Sequence, residues 1–247
     1  RDRSPSRGLG DVYKRQVVSY KSSEYAKDMG TPERYRRVQE DYNSGICDAK
    51  NLANKQKAIF LDRDGTINEY VGFLRKEEDF RLIPGVSEAI KKINNSGYLA
   101  IVVTNQPVIA RGEVTEEELE EIHKKMETLL GLDGAYIDDI YYCPHHPDKG
   151  FEGEIPELKI ECDCRKPKTG MLEKAAREHN IDLSSSIMIG DSTLDIKIAE
   201  NAGMQSVLLK TGQKGEDGKY EVSPTLIAED LNDAINKIIC KKASKKL

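Results

Sequence analysis

From residue 57 to residue 242 the apolar positions of the chain fall into two alternating rhythms. Short runs such as Ala58-Ile59-Phe60-Leu61 are apolar at every position, the signature of a strand buried on both faces. Between such runs, apolar residues recur three and four apart, the period of a helix with one buried face. On this pattern strands are predicted at 57–62, 98–104, 138–143, 186–191 and 206–211. Helices are predicted from Pro84-Gly85 to about Asn95, and over 114–131, 170–180, 193–203 and 228–242, with Gly97 and Gly203 as stops. In the 114–131 helix, Thr115 and Glu118 have capping-box spacing, and Leu119, Ile122, Met126, Leu129 and Leu130 form the buried stripe. His123 lies beside that stripe and reads as a boundary residue rather than a ligand. Strands alternating with helices imply parallel pairing through crossovers, hence an α/β fold with a Rossmann-like, three-layer parallel sheet.

The flanks differ. Residues 1–16, beginning with Arg, show neither period and are set aside as a non-native scar or disordered segment. Within 17–45, Thr31-Pro32-Glu33 opens a helix that carries Tyr35, Val38 and Tyr42 at helical spacing up to Gly45. Such a helix has no core of its own. Residues 46–55 read as a polar linker, 56–243 as the main domain, and 241–247 as a frayed tail.

A net charge of -5 argues against a nucleic-acid or anionic-membrane partner. No apolar run approaches the roughly 20 residues of a membrane-spanning helix. The basic N-terminus lacks the apolar core of a secretory signal, so a cytoplasmic location is expected. Of the 5 cysteines, three crowd between 143 and 164. That clustering points to metal binding in a reducing compartment rather than to a disulfide framework. Cys143-x-His145, sixteen residues, then Cys162-x-Cys164 supplies four N/S ligands for a closed, structural Zn2+ site, with His145 favoured over His146 on spacing. The loop between has little to bury, and a zinc clip would organise it; Cys47 and Cys240 fall outside.

In open parallel sheets ligands bind at the carboxyl ends of the strands. There the sequence places Asp62 and Asp64, then Thr104-Asn105-Gln106, then Arg165-Lys166-Pro167-Lys168, then Asp191 and Asp195. So many carboxylates in one crevice require a counter-charge, and a hard dication such as Mg2+ meets the requirement. Thr, Lys and Arg suit a phosphoryl group. The chemistry this favours is attack on phosphorus by one carboxylate, with the second protonating the leaving group and then activating water.

The ordered set D-x-D-G-T, T-N-Q, a Lys-Pro and G-D-S-x-x-D resembles the haloacid dehalogenase superfamily of phosphatases over residues 57 to about 242. The resemblance implies a capless member with a zinc-bound loop. By it, Asp62 is the nucleophile, Asp64 the general acid/base, Thr104 the phosphoryl ligand and Lys166 the charge-balancing cation, with Lys168 the alternative. Mg2+ would be held by Asp62, the backbone of Asp64 and Asp191, with Asp195 in a supporting hydrogen-bond role. FLDRDGTIN, TNQPVIARG, CPHHP and CDCRKPKTGM look like the branch that acts on heptose bisphosphates, small-molecule sugar phosphates. There the zinc loop replaces a cap, Arg165 recognises the second phosphate and Tyr70, Val71, Gly72 and Phe73 line the sugar. Arg63, Asn105, Gln106 and Pro107 would complete the substrate contacts; Pro107-Val108 departs from a common Ser-Gly. The sister branch, histidinol-phosphate phosphatases, shares these motifs, and a non-catalytic zinc-organised module is the reading from another class. Residues 17–45 resemble the end of a sugar-phosphate nucleotidyltransferase. That implies fusion to a heptose-1-phosphate guanylyltransferase, an α-anomeric substrate and a GDP-heptose route to surface glycan.

Overall fold

A computed structural model describes residues 24–243; the expectations for 1–16, for 17–23 and for the 244–247 end of the tail fall outside these residues, as does the side chain of Cys240. Six parallel strands form one sheet: β1 (Ala58–Leu61), β2 (Leu99–Asn105), β3 (Asp139–Cys143), β4 (Ile187–Gly190), β5 (Gln205–Leu209) and β6 (Leu226–Ala228), in the order β3-β2-β1-β4-β5-β6. In the central register Ile59 lies beside Ala100 on one side and Ile187 on the other.

Alternation along β1 explains the layers. Ile59 and Leu61 face one apolar cluster, with Val86, Ala89, Ile90 and Ile93 of α3 (Val86–Asn94). Ile122, Met126 and Leu130 of α5 (Glu116–Leu132) and Leu231, Ala234 and Ile235 of α8 (Leu231–Ala243) complete that layer. Ala58 and Phe60 face the other cluster, with Met171, Leu172 and Ala175 of α6 (Gly170–Glu178) and Ile198 and Ala199 of α7 (Thr193–Asn201). Both faces of the sheet are covered, as continuous apolar strands require. The capping box forms as predicted: Thr115 Oγ1 accepts from Glu118 N at 3.1 Å and Glu118 Oε2 from Thr115 N at 2.8 Å.

Three features differ from the pattern-based expectation. β6 was not predicted, because three residues are too few to show a period and Ile227 is half exposed. Its last residue, Ala228, was expected to begin the final helix; that helix starts at Leu231, where Asp230 Oδ1 accepts from Asp233 N at 2.8 Å. A single turn, α4 (Pro107–Ala110), follows β2 directly, on a Pro-initiated stretch too short for periodicity.

The upstream segment is tied to this body. α1 (Pro32–Asn43) starts at Thr31 as expected but buries none of its residues; Tyr35 and Tyr42 face solvent. The stretch 46–55 includes one helical turn, α2 (Ile46–Ala49), followed by Lys50, which is only 5% exposed. Its ammonium donates to Tyr136 Oη at 2.7 Å and lies 3.9 Å from Asp138 Oδ1, while Asp138 Oδ2 accepts from Ala100 N of β2. Among the described residues no helix is long and apolar enough to cross a membrane.

Phe60 has no exposed surface and sits mid-strand at the centre of the sheet. Phe60→Ala is therefore expected to cost about 3–5 kcal/mol of unfolding free energy, measured by urea denaturation.

Candidate active site

The order of the strands reverses between β1 and β4, so a crevice opens beyond their carboxyl ends. Asp62 follows β1 without a break, its N–H donating to Ile189 O at 3.0 Å. The chain then turns sharply at Gly65, where φ is +85°. A Cβ there would stand 2.2 Å from Asp191 Oδ2, and one at Gly212 would stand 1.9 Å from the same oxygen. Only glycines let the β1 and β5 loops close on Asp191 from both sides. The Gln213 N–H then donates to Asp191 Oδ2 at 2.6 Å.

Lys166 is buried and its Nζ lies 2.8 Å from Asp62 Oδ1, 2.6 Å from Asp195 Oδ1 and 3.1 Å from Val103 O. Burial works against its charge, but Asp195 and Asp62 outweigh burial and raise it above the usual lysine range. Burial pushes Asp62 up to about 7, against the pull of Lys166 and with repulsion from Asp195 and Asp64. Asp191 is pushed up to about 8 by burial and by the neighbouring charges of Asp62 and Asp195. One ammonium is too little for three carboxylates whose oxygens lie within 4.8 Å of one another. Asp195 is already used: besides Lys166 it accepts from Ser192 N at 3.1 Å and Ser192 Oγ at 2.6 Å. Asp62 and Asp191 therefore remain as the donor pair that fits a hard dication.

Asp64 is held differently. Burial alone would raise it, yet Arg63, Asn68 and Gln106 together bring it below the usual carboxylate range. The Arg63 guanidinium donates to Asp64 Oδ2 at 2.8 Å and to Gln106 Oε1 at 3.1 Å. Arg63 is wholly buried and does not line the crevice, which corrects its expected place among the substrate contacts. Its role is to fix Asp64 from beneath. His123, beside it on α5, has Nε2 3.3 Å from Arg63 Nη1 and is pushed down to about 3 by burial and by that cation. It is a neutral neighbour of the clamp.

Tyr70, Gly72 and Phe73 line the crevice, whereas Val71, 53% exposed, is not among its lining residues. Thr104, Gln106 and Pro107 line it from the end of β2, with Gln106 Nε2 donating to Thr104 Oγ1 at 2.8 Å and Asp64 Oδ2 at 3.0 Å. Asn105 also borders it, but its amide is occupied with the backbone of Lys166, accepting at 3.0 Å and donating at 3.2 Å. Lys168 is exposed and pairs with Glu161 at 3.0 Å, so of the two lysines only Lys166 reaches Asp62. Sequence reasoning missed Arg111, His146, Gln213 and Lys219, all of which line the crevice. Arg111 and His146 lie inside the TNQPVIARG and CPHHP motifs, whereas Gln213 and Lys219 enter from the loop after β5, whose position depends on the rest of the fold.

Cys143, His145, Cys162 and Cys164 converge as the spacing implied. Their sulfurs are 3.2, 3.3 and 3.5 Å apart, and His145 Nδ1 lies 3.3 and 3.7 Å from Cys164 and Cys143. Zn–S bonds of about 2.3 Å give tetrahedron edges of roughly 3.8 Å, so the four atoms fit such an ion with small relaxation. Burial and Cys164 push the Cys143 thiol up, and a bound cation would reverse that. The loop they anchor docks on α4: Ile155 N donates to Ala110 O at 3.0 Å. Gly112, at φ +69°, abuts Gly153, whose carbonyl would be 1.8 Å from any Cβ.

A HAD-hydrolase-like family model (Hydrolase_like) matches residues 163–234. A D-glycero-beta-D-manno-heptose-1,7-bisphosphate 7-phosphatase of Haemophilus ducreyi is 42% identical over 182 residues, 73% of this chain and 97% of that protein. A D-glycero-alpha-D-manno-heptose-1,7-bisphosphate 7-phosphatase of Photorhabdus laumondii is 44% identical over 64% of this chain and 85% of its own length. Among solved structures, the D,D-heptose 1,7-bisphosphate phosphatase of B. bronchiseptica, complexed with magnesium and phosphate, is similar with a TM-score of 0.66 and 32% identity. It is covered over 99% of its chain and 75% of this one. The nucleotidyltransferase resemblance of 17–45 gains no support from these relatives.

The crowding at Asp191 can be measured apart from backbone cost. Gly203 also has positive φ (+67°), yet nothing lies within 4 Å of its Cβ position. Gly203→Ala should cost about 1–2 kcal/mol, the left-handed penalty alone. Gly65→Ala should cost at least about twice as much in thermal or urea unfolding, because the methyl must displace Asp191.

Proposed function

The chain belongs to the haloacid dehalogenase-like hydrolases, among the D-glycero-D-manno-heptose 1,7-bisphosphate 7-phosphatases, and is a phosphoric monoester hydrolase; we propose that it removes the C7 phosphate of heptose 1,7-bisphosphate through an aspartyl phosphate on Asp62. The observation that carries the reading is the Asp62 carboxylate held 2.8 Å from a buried Lys166 beside Asp191. A nucleophile of this kind must approach a phosphoryl dianion, and the adjoining cation offsets the repulsion.

In the proposed first step Asp62 attacks phosphorus in line, the P–O7 bond breaks, and the departing oxygen takes a proton from Asp64. Asp64 is held ionised by Arg63 in the free protein; a phosphate dianion brought beside it raises its proton affinity and supplies the acid form. In the second step the Asp64 carboxylate takes a proton from water as the water attacks the acyl phosphate. Phosphate leaves and Asp62 is restored. Thr104 and Lys166 hold the phosphoryl oxygens throughout. Mg2+, held by Asp62, Asp191 and the backbone of Asp64, would neutralise charge on the phosphoryl oxygens. Zn2+ at Cys143, His145, Cys162 and Cys164 would be structural. Arg165 lines the crevice with Nη1 tied to His145 O at 3.0 Å, so the zinc site fixes the arginine that meets the second phosphate.

The test is phosphate release from heptose 1,7-bisphosphate and from histidinol phosphate, with the remaining monophosphate identified by NMR. Heptose 1-phosphate is the expected product; faster turnover of histidinol phosphate would overturn the substrate. Asp62→Asn should abolish turnover with the fold intact, and trapped label should map to Asp62 alone. Asp64→Asn should retain turnover only with good leaving groups.

The metals should separate. Chelation by EDTA should stop activity and Mg2+ alone should restore it, while about one zinc per chain stays bound. Cys162→Ser should lose that zinc and lower the melting temperature; full zinc retention would refute the clip.

A further inference from the structure

Arg111 follows α4 and its side chain enters the crevice with no hydrogen bond or ion pair among the described residues. Its guanidinium carbon lies 4.3 Å from the centre of the Phe73 ring and 4.4 Å from that of the Phe151 ring. Its Nε is buried without a hydrogen-bond partner. Beside it His146 is 7% exposed, stands edge-on to Phe151 and has an unpartnered Nδ1. A buried donor left without a partner is costly unless a ligand takes it up. Arg165 lines the same crevice from the zinc loop.

We propose that Arg111, held between Phe73 and Phe151, is a specificity-determining residue that binds the non-reacting phosphate of the substrate, together with Arg165. The inference rests on the bisphosphatase reading above. A planar guanidinium can meet phosphate in the bidentate geometry that discriminates phosphate from neutral hydroxyls. Contact with two aromatic rings restricts its side chain before binding, which lowers the ordering that opposes the contact. Phe151 belongs to the zinc-anchored loop and does not line the crevice, so it is a positioning residue: it touches two crevice side chains, Arg111 and His146. The same cations disfavour a substrate whose far end is an ammonium, as in histidinol phosphate.

The experiment compares Arg111→Met, which keeps a long apolar chain between the rings, with the wild-type protein. With heptose 1,7-bisphosphate, KM should rise roughly ten- to hundredfold while kcat changes less than about threefold. With p-nitrophenyl phosphate, which lacks a second phosphate, kcat/KM should change less than about threefold. Phe151→Leu should shift KM in the same direction by a smaller factor, and Phe151→Tyr should restore it. Equal losses on both substrates, or no loss on either, would overturn the assignment. So would a change in kcat with KM untouched. If the wild-type protein shows no preference for the bisphosphate, the heptose reading fails by itself. Calorimetric binding of mannose 1-phosphate then decides Arg111: at least tenfold weaker binding by Arg111→Met upholds it, and unchanged binding removes it.

Discussion

A single ammonium organises the catalytic end of this protein. Lys166 sits in the interior with Asp62 on one side and Asp195 on the other, and burial makes each of these charges untenable without the others. Everything nearby can be understood as support for that balance. Asn105 grips the Lys166 backbone at both its N–H and its carbonyl. Ser192 supplies two further donors to Asp195. The β1 and β5 loops close on Asp191, where a divalent ion would offset what the ammonium leaves. Positive and negative groups thus arrive from β1, the segment before α6, and β4, with neutral hydrogen-bonding groups from β2, and no one of those elements is charge-complete alone.

This division among elements sets what could be read before the fold was known. The five long strands and main helices were legible because each carries its own period, and the crevice carboxylates because they sit at strand ends, where a run of apolar residues stops. The convergence of Cys143, His145, Cys162 and Cys164 was legible from residue type and spacing. What escaped has a common physical reason. Arg63 follows Asp62 and looks like a substrate contact, yet its side chain turns under the site, where only Gln106 and Asp64 could reveal the pairing. Val71 lies among crevice residues in sequence but points to solvent. Arg111 and Gln213 arrive on loops whose placement follows from packing over long separations, and β6 is too short to have a rhythm.

The cysteine–histidine loop and the turn after β2 form a second, softer organising unit. Ile155 bonds to Ala110, Gly153 presses on Gly112, and Arg111 joins Phe151 to Phe73. Order in the loop therefore passes to the crevice through packed groups rather than through the metal itself. That explains how a segment with so few apolar residues can serve as a wall of the site.

The buried Lys50 has a consequence for where the cooperative unit begins. The motif set starts at β1, but the residues before it are stitched into the sheet. Lys50 reaches Tyr136 and Asp138, Gln56 exchanges backbone hydrogen bonds with Asn180 and Asp182, and Asn180 Nδ2 donates to Leu52 O. The smallest piece of chain that melts as one body is consequently longer than the piece that carries the chemistry. A proteolytic cut at residue 56 would leave every reacting group in place and still loosen the edge of the sheet on which β2 and β3 depend.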